Sequence, residues 1–543
     1  MTPMNKSAII FGAIALVIGV PVGLKQSHKT LNKKTDDVLI VITPHNEAIR
    51  FEMEAGFQRW YKEKTGRTVS IDWRIPGSTG EVIRYVDSVF VNSFRLYWEN
   101  VLHKVWDQSV QASFSNPSMD VSNEARTAFL ASNVGCGVDV IFGGGVIEHK
   151  HEAAMGQLVD SGVVKKHPEW FCDAMIPYKL AGDCLWDKEG RWIGSSLSSF
   201  GIVYNVDRLL DLHVTHHPKQ WVDLTDPRFF KQIAMVDPVQ SSIVVKCFEM
   251  MIQQQMQLLL KQRLEDAKIV ELSKEQLHFV LNEGWMQGLR MIQKIMANSR
   301  YFTDNSVSTI WDISIGNCTV GVIVDFYGRY QRDILRMKCH SNRVDFAMPK
   351  SGSAVSPDPI SMFRGAPHPK LASTFIEYVV SEEGQDRIGL KVGSPHGPQW
   401  YPLSRTPIRK DFYVDAKRPY MLTPDLNPFA SSDDFEYHPE WTAAGFKSIR
   451  FLSKVLFMDT YTELSKAWKA IIDARYAGRT EDADQALAVF EDLSTISYDW
   501  MLDTLRPLLN AKRPLKEIQL STALTCKFRE QYLRAYKVAT YGQ

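Results

Sequence analysis

The segment Asp37-Val-Leu-Ile-Val-Ile-Thr-Pro44 is a run of five apolar residues closed by Thr-Pro. A continuous apolar run of this length is typical of a strand that is buried on both faces of a parallel sheet. From Glu47 to Lys64 the apolar residues fall at helical spacing, and Gly66 follows, which predicts a helix and its end. A buried strand followed by a loop and a helix is the unit of an α/β fold.

The same strand–loop–helix unit recurs along the next 300 or so residues. Apolar runs predict strands at 69–73, 138–142, 191–194, 200–204, 233–238, 320–325 and 344–348. Two of these strands flank Ser195–Ser199, a loop is predicted at Ser351–Pro359, and one long helical region runs from about 250 to 297. Three helical stretches then follow, at 440–475, 480–509 and 514–541. This order predicts an α/β fold with a parallel sheet and an additional C-terminal helical region.

Small and polar residues stand where several predicted strands end. Because ligands of parallel sheets bind at the carboxyl ends of the strands, we expect His45, Gly77–Thr79 and Gly143–Gly145 on one edge. Asp325 and Tyr327 follow a later strand and are candidates by the same rule. A lone histidine is more often a surface residue, and an aromatic residue after a strand more often packs in the core, so these alternatives stay open.

Two segments combine hydroxyl side chains with a helix start, Pro76-Gly-Ser-Thr-Gly80 and Val239-Gln-Ser-Ser242. Free backbone N–H groups and the helix dipole bind anions at such places. Plain N-capping by serine or threonine explains the same residues. Anion binding and capping therefore remain two interpretations of Ser78, Thr79, Ser241 and Ser242.

Composition and motifs favour binding over catalysis. The 543 residues include 63 basic and 62 acidic ones, and this balance does not indicate a nucleic-acid surface. No G-x-S-x-G, H-E-x-x-H or Walker loop is present, so we expect no enzyme and no cofactor. The seven cysteines contain no C-x-x-C pair, and both a Cys172–Cys184 disulfide and free thiols agree with their spacing.

Six motifs in chain order resemble the ferric-iron-type periplasmic solute-binding proteins of ABC importers, which have the type 2 periplasmic binding fold. They fall within residues 38–405 and are Thr43-Pro-His-Asn-Glu-Ala48, Asp139-Val-Ile-Phe-Gly-Gly-Gly145, Phe200-Gly-Ile-Val-Tyr-Asn205, Trp221-Val-Asp-Leu-Thr-Asp-Pro227, Gly321-Val-Ile-Val-Asp-Phe-Tyr-Gly328, and Gly365-Ala-Pro-His-Pro-Lys-Leu-Ala372 with Ser381-Glu-Glu-Gly-Gln385.

The resemblance implies two α/β lobes joined by two crossing strands, with the ligand trapped between them by hinge closure. A signal or anchor segment with its linker would occupy 1–37, lobe 1 would comprise 38–196 plus 345–410, lobe 2 would comprise 197–344, and the C-terminal helical region would be 411–543. The ligand-binding candidates are then His45, Asn46, Gly77, Ser78, Thr79, Gly144, Ser199, Ser241, Ser242, Asp325 and Tyr327.

In iron-binding members of this family, the metal ligands include a histidine after the first strand and two tyrosines after a later strand. The corresponding residues here are His45 and the pair Phe326-Tyr327, so one phenolate is missing. The acidic ligand expected near the third strand falls among Gly143–Gly145. The resemblance therefore implies His45 and Tyr327 as metal ligands only if the chain carries ferric iron with a synergistic anion. It favours a different small anionic solute.

The uncharged run Ser7–Leu24, with Lys6 before it and Lys25 after it, predicts a signal sequence or an uncleaved membrane anchor. The lysines alone would leave the C-terminal side in the cytoplasm, whereas the resemblance implies the periplasmic or extracellular side of the cell membrane. The expected partners are a small-molecule or metal-anion ligand and the membrane permease of an ABC importer, with no nucleic acid. A membrane-tethered ligand sensor is the alternative role.

Overall fold

The computed structural model describes residues 35–119, 122–430, 435–511 and 513–542. The predicted anchor segment Ser7–Leu24 lies outside these residues. Within them the strands are β1 (Asp37–Ile42), β2 (Val69–Arg74), β3 (Val140–Phe142), β4 (Leu158–Val159), β5 (Lys179–Leu180), β6 (Asp183–Cys184), β7 (Ile193–Ser198), β8 (Phe200–Asn205), β9 (Ile233–Val236), β10 (Ser299–Thr303), β11 (Val320–Val324), β12 (Val344–Ala347) and β13 (Ser356–Phe363).

Helices connect and cover these strands. They are α1 (Glu47–Thr65), α2 (Thr79–Asn100), α3 (Gln108–Ser113), α4 (Glu124–Ala131), α5 (Val146–Met155), α6 (Val163–Lys166), α7 (Val206–Asp211), α8 (Ser242–Ala267), α9 (Lys274–Asn298), α10 (Ser306–Ile315), α11 (Asp325–Cys339), α12 (Pro369–Val380), α13 (Glu382–Gly389), α14 (Pro439–Thr442), α15 (Phe446–Ser453), α16 (Tyr461–Tyr476), α17 (Thr480–Phe490), α18 (Tyr498–Trp500), α19 (Arg506–Asn510) and α20 (Pro514–Tyr541).

The first sheet has the strand order β2-β1-β3-β13-β4, and β7 also pairs with β13. The strands β2, β1 and β3 are parallel, while β13 runs antiparallel to β3, β4 and β7. Leu39 and Val41 of β1 are fully buried in the same apolar cluster as Phe57 of α1, and Ile42 is buried in a second cluster with Phe90 of α2. The apolar residues of β1 thus pack against helices on both sides, as the sequence predicts, except at Val38, which is exposed.

The second sheet has the order β10-β9-β11-β8-β12. Its strands β10, β9 and β11 are parallel, and β8 is antiparallel to both β11 and β12. The chain passes from the first sheet to the second between β7 and β8, and returns between β12 and β13. The predicted α/β architecture with two lobes and two crossings is confirmed, although the prediction of parallel sheets holds for only part of each sheet. The exact residue limits of the domains stay a prediction.

Helices α14 to α20 form the C-terminal helical region, and they pack against α8 and α9 beside the second sheet. Trp285 of α9, Leu456, Trp468 of α16 and Tyr532 of α20 are buried in one continuous apolar cluster that also contains residues of both sheets. The indole of Trp285 donates to the carbonyl of Ile496 at 2.9 Å. Because this core is shared, the C-terminal helical region is part of the folded body of the protein.

Several sequence predictions of local structure are wrong. The predicted helical region 250–297 is two helices, because the chain turns at Lys268, whose φ of 54° ends α8. Ser195–Ser198 lie within β7, and Ser356–Pro359 belong to β13 where a loop was expected. The two prolines of β13 lack a ladder donor, and the pairing with β7 shifts register between Asp358 and Pro359.

The long C-terminal stretches are also interrupted. One π-helical turn at Lys454–Met458 and another at Met501–Leu505 break the predicted helices 440–475 and 480–509 into shorter ones. All seven cysteines are free thiols, so the Cys172–Cys184 disulfide is not formed. Across the described part of the chain, no helix combines the length and apolarity that a membrane span requires.

Candidate functional site

A cavity of about 530 Å³ lies between the two sheets. Its walls are the loops that follow β1, β2 and β3 of the first sheet, together with those that follow β9, β10 and β11 of the second. These are the carboxyl ends of the parallel strands of both sheets, where ligands of α/β proteins bind. Its volume lies within the range of pockets that hold small molecules, roughly 300–1,000 Å³.

The structure brings eight of the predicted ligand-binding residues together in the wall of this cavity. They are His45, Gly77, Ser78, Thr79, Gly144, Ser241, Ser242 and Tyr327. The expectation that His45, Gly77–Thr79 and Gly143–Gly145 share one edge therefore agrees with their positions. That these residues bind a ligand stays a prediction.

Three predicted residues do not line the cavity. Asn46 caps α1, since its side chain accepts a hydrogen bond from the N–H of Ile49 at 3.1 Å. The hydroxyl of Ser199 lies 3.0 Å from the sulfur of Met348, between the two sheets. Asp325 is buried at the start of α11 and pairs with Arg329 one turn later. Burial raises the pKa of Asp325 in spite of that pair. Each of these residues has a structural role that explains its place.

His45 belongs to a buried cluster of three ionisable side chains. Its Nε2 lies 2.9 Å from Oδ2 of Asp358 and 2.8 Å from Nη1 of Arg405. Asp358 and Arg405 also form an ion pair, and all three residues are at most 6% exposed. Burial lowers the pKa of His45. Burial alone would raise the pKa of Asp358, but Arg405 and His45 hold it well below its usual range. The carboxylate is therefore charged and the imidazole neutral near neutral pH.

The cluster also fixes the loop after β3. The other oxygen of Asp358 accepts a hydrogen bond from the N–H of Gly144 at 2.8 Å. A Cβ atom at Gly143, whose φ is 89°, would lie 2.3 Å from the His45 ring, so the close approach requires glycine. His149 supports the same loop from α5, with Nδ1 2.7 Å from the hydroxyl of Ser361 and Nε2 3.2 Å from the carbonyl of Gly143. Burial lowers the pKa of His149 to about 4, so it acts as a neutral hydrogen-bonding side chain.

The start of α8 forms one wall of the cavity. The hydroxyl of Ser241 caps the helix by accepting from the N–H of Val244 at 3.4 Å. The hydroxyl of Ser242 accepts a hydrogen bond from Arg450 at 2.7 Å. Lys246 also lines the cavity, but its ammonium is 2.9 Å from the buried carboxylate of Glu249, which neutralises it.

Three carboxylates line the cavity: Glu81 and Glu148 come from the segments after β2 and β3 of the first sheet, and Asp304 comes from the loop after β10 of the second. Glu81 accepts hydrogen bonds from the N–H of Ser78 at 2.7 Å and from its hydroxyl at 3.0 Å, and these bonds lower the pKa of Glu81. The N-terminus of α2 is thus already occupied by a carboxylate of the chain itself, which leaves the start of α8 as the stronger anion site.

Five residues in or beside the cavity were not predicted from the sequence: Asp358, Arg405, Lys246, Phe446 and Arg450. Asp358 stands between two prolines in a segment that looked like a loop, and a charged residue flanked in this way was a signal that could have been followed. Phe446 lines the cavity, and Arg450 contacts it through Ser242; both come from the C-terminal helical region. In residues 35–119, 122–430, 435–511 and 513–542, no group of three His, Cys, Asp or Glu side chains could hold a metal ion.

Residues 138–399 match the family of bacterial extracellular solute-binding proteins. The predicted resemblance to solute-binding proteins is confirmed over these residues. The matched region contains loops from both walls of the cavity, including Gly144 and Ser241.

The individual proteins that are similar to this chain share little sequence identity with it. The putrescine/agmatine-binding protein of Pseudomonas aeruginosa is 28% identical over 144 residues, which are 26% of this chain and 38% of that protein. The chain spans less than half the length of the curated relatives it matches. Apo ferric ion-binding protein A of Pasteurella haemolytica is 14% identical with a TM-score of 0.45 and covers 77% of this chain and 96% of its own. The fructose-6-phosphate-bound AfuA of Actinobacillus pleuropneumoniae is 15% identical with a TM-score of 0.41, and the match covers 65% of this chain and 82% of that protein.

Proposed function

We propose that the chain captures a small anionic solute outside the cytoplasm and delivers it to the membrane permease of an ABC importer. The observation that carries this proposal is the cavity of about 530 Å³ between two sheets, with the start of α8 in its wall. The first N–H groups of a helix have no intrahelical acceptor, and the helix dipole favours a negative charge there. Ser241 and Ser242 add hydroxyl groups at the same place. A tethered sensor would use the same cavity and would differ only in its partner.

The three carboxylates that line the cavity favour a second candidate, a solute that carries an amine. Glu81, Glu148 and Asp304 outnumber Lys246, which is already paired. The relative named for putrescine and agmatine binding supports the same candidate. An amine would be held at Glu148, because Glu81 already accepts hydrogen bonds from Ser78 and Asp304 from Asn305, whereas Glu148 forms no ion pair within 4 Å in the described part of the chain.

Native mass spectrometry of freshly purified protein, followed by calorimetry with the solute found, tests both candidates. For an anionic solute, the double variant Ser241→Ala/Ser242→Ala should bind at least about threefold more weakly, and Glu148→Gln should bind at least as well as the wild type. For an amine, Glu148→Gln should bind at least about threefold more weakly, and Ser241→Ala/Ser242→Ala should bind at least as well as the wild type. Ser273→Ala is the matched control, because Ser273 caps α9 in the same way but does not line the cavity.

A loss of thermal stability in both Ser241→Ala/Ser242→Ala and Ser273→Ala, with binding unchanged, would show that the serines of α8 are caps only. Retention of no solute, together with no change of the scattering radius or tryptophan fluorescence on adding either class of solute, would contradict a solute-binding cleft. A membrane contact through residues 7–24 and an extracytoplasmic location belong to the same proposal, and protease added to cells with a permeabilised outer layer should digest the chain while a cytosolic marker survives.

A further inference from the structure

The C-terminal helical region reaches the cavity through α15. Phe446, the first residue of α15, lines the cavity, and Arg450 lies one helical turn further along. The Arg450 guanidinium donates from Nη2 to the hydroxyl oxygen of Ser242 at 2.7 Å and lies 5.7 Å from the centre of the Phe446 ring. A side chain from outside the two sheets is therefore in direct contact with the start of α8.

Among the described residues, no carboxylate lies within ion-pair distance of Arg450. Within the described residues, the ion pairs closer than 4 Å do not include Arg450, and its Nε is buried without a hydrogen-bond partner. A guanidinium that is partly removed from water and has no counter-ion is costly unless an anion compensates it. Burial lowers the pKa of Arg450, the charge of Glu148 acts in the opposite direction, and the charge of Arg84 lowers the pKa further. A bound anion would supply the close counter-charge that no ion pair within 4 Å provides.

The contact with Ser242 leaves useful donors free. Because the Ser242 oxygen accepts from Arg450, its own hydroxyl hydrogen can be donated to a ligand. Ser242 and Ile243 both line the cavity, and they are the first two residues of α8, whose N–H groups have no intrahelical acceptor. The hydroxyl and the two backbone donors line the cavity, and the Arg450 guanidinium lies behind them in contact with Ser242. Together these donors match the acceptors of a carboxylate or phosphate group.

The segment that leads into α15 is fastened to α8. The Tyr437 hydroxyl donates to Glu249 at 2.9 Å, and the Thr442 hydroxyl donates to the same carboxylate oxygen at 2.6 Å. Gln253 exchanges hydrogen bonds with the backbone of His438, accepting at 2.9 Å and donating at 2.8 Å. These bonds fix α15 relative to α8, so Arg450 is held in place before a ligand arrives.

We propose that Arg450 of the C-terminal helical region binds the oxyanion of the solute, a carboxylate or a phosphate group, together with Ser242 and the start of α8. The C-terminal helical region is then the part of the protein that sets ligand specificity. This inference rests on the proposed function, because it assigns a residue to the anionic end of the same cavity.

The experiment uses the full chain and two probes, inorganic phosphate and succinate, titrated by calorimetry at low salt. Arg450→Gln should weaken binding of the preferred probe at least tenfold, and Arg450→Lys should weaken it at least threefold, because lysine keeps the charge but loses the planar fork. Arg475→Gln is the matched control, since Arg475 lies in the same region, pairs with Asp484 and is remote from the cavity lining. It should bind within twofold of the wild type.

The outcomes separate this inference from the proposed function. Binding that is weakened by Ser241→Ala/Ser242→Ala but unchanged in Arg450→Gln would overturn the role of Arg450 and leave the anion cleft standing. Failure of the wild type to bind either probe would overturn the inference, whereas the proposed function fails only if no solute is retained and none changes the scattering radius or the tryptophan fluorescence. Circular dichroism verifies folding, and if Arg450→Gln does not fold, Arg450→Lys decides alone, with wild-type affinity overturning the inference. The preferred probe tells whether the oxyanion is a phosphate or a carboxylate.

Discussion

His45 Nε2 and Asp358 Oδ2 lie 2.9 Å apart in the wall of the cavity, although the two residues are 313 positions apart in the sequence. Arg405 completes the pair by contacting both side chains. The contact joins the loop after β1 to strand β13, which returns from the second lobe. The cluster therefore holds the cavity wall of the first sheet in a single arrangement.

Replacing Asp358 by asparagine should destabilise the fold by about 3–5 kcal/mol, because it leaves the buried Arg405 guanidinium without its counter-charge. Urea unfolding monitored by circular dichroism measures the change. Asp72→Asn is the control, since the Asp72–Arg74 pair is exposed and should contribute no more than about 1 kcal/mol. Equal effects of the two substitutions would contradict the assignment of a structural ion pair to Asp358 and Arg405.

Ferric iron should bind weakly or not at all. The Arg405 guanidinium carbon lies 4.5 Å from the centre of the Phe326 ring, and Nη1 of Arg405 lies 2.8 Å from the His45 nitrogen that a metal would need. Burial raises the pKa of Tyr327 to about 12, so its phenol stays protonated at neutral pH. Ferric citrate should therefore produce no visible phenolate–iron band. A strong band that disappears in Tyr327→Phe would overturn this expectation.

The buried carboxyl group of Glu152 should make the stability of the folded protein depend on pH. It is fully buried in α5, both carboxyl oxygens lack a hydrogen-bond partner among the described residues, and burial raises its pKa to about 9. The folded state keeps the proton while the unfolded state loses it above its ordinary pKa. The contribution of Glu152 to stability is therefore present in full below about pH 4.3 and is lost as the pH rises towards the folded pKa, with a slope of up to about 1.4 kcal/mol per pH unit.

Glu152→Gln removes this titration, so its free energy of unfolding should exceed that of the wild type by an amount that grows between pH 5 and pH 8. Denaturant unfolding at several pH values measures the difference. Glu63→Gln makes the same chemical change on the exposed surface of α1 and should follow the wild type. Parallel stability curves for Glu152→Gln and the wild type would show that Glu152 is ionised in the folded protein.

Local sequence patterns predicted what depends on local spacing. The apolar run of β1 predicted the buried Leu39, Val41 and Ile42, the helical spacing predicted the buried face of α1, and the cap at Ser241 follows from a strand end beside a proline. The contacts that complete the site join distant segments: His45 and Asp358 are 313 positions apart in the sequence, and Ser242 and Arg450 are 208 positions apart. No periodicity encodes such pairs. The sequence therefore predicted much of the cavity wall. It did not predict the charged side chains of the wall or the contribution of the C-terminal helical region to the cavity.

Tyr437 attaches the C-terminal helical region to the β5–β6 hairpin. The N–H of Tyr437 donates to the carbonyl of Ala181 at 2.9 Å, while its hydroxyl donates to Glu249 of α8. Gly182 has a φ of 88°, and a Cβ atom there would lie 2.0 Å from the carbonyl oxygen of Tyr437. Gly137 has a similar φ of 70°, but a Cβ atom there meets nothing within 4 Å.

Alanine at either glycine has the same backbone strain, about 1–2 kcal/mol, and only Gly182→Ala must also push Tyr437 away. We expect Gly182→Ala to lower the unfolding temperature further than Gly137→Ala. It should also make the segment 435–442 a new site of limited proteolysis and enlarge the scattering radius, because the bond between the hairpin and α8 through Tyr437 is broken. Equal melting temperatures and identical proteolytic patterns for the two variants would mean that Tyr437 does not connect these parts of the protein in solution. A larger fall of the unfolding temperature in Gly182→Ala without new cleavage would show that the effect is limited to the hairpin. It would contradict the predicted release of the segment 435–442.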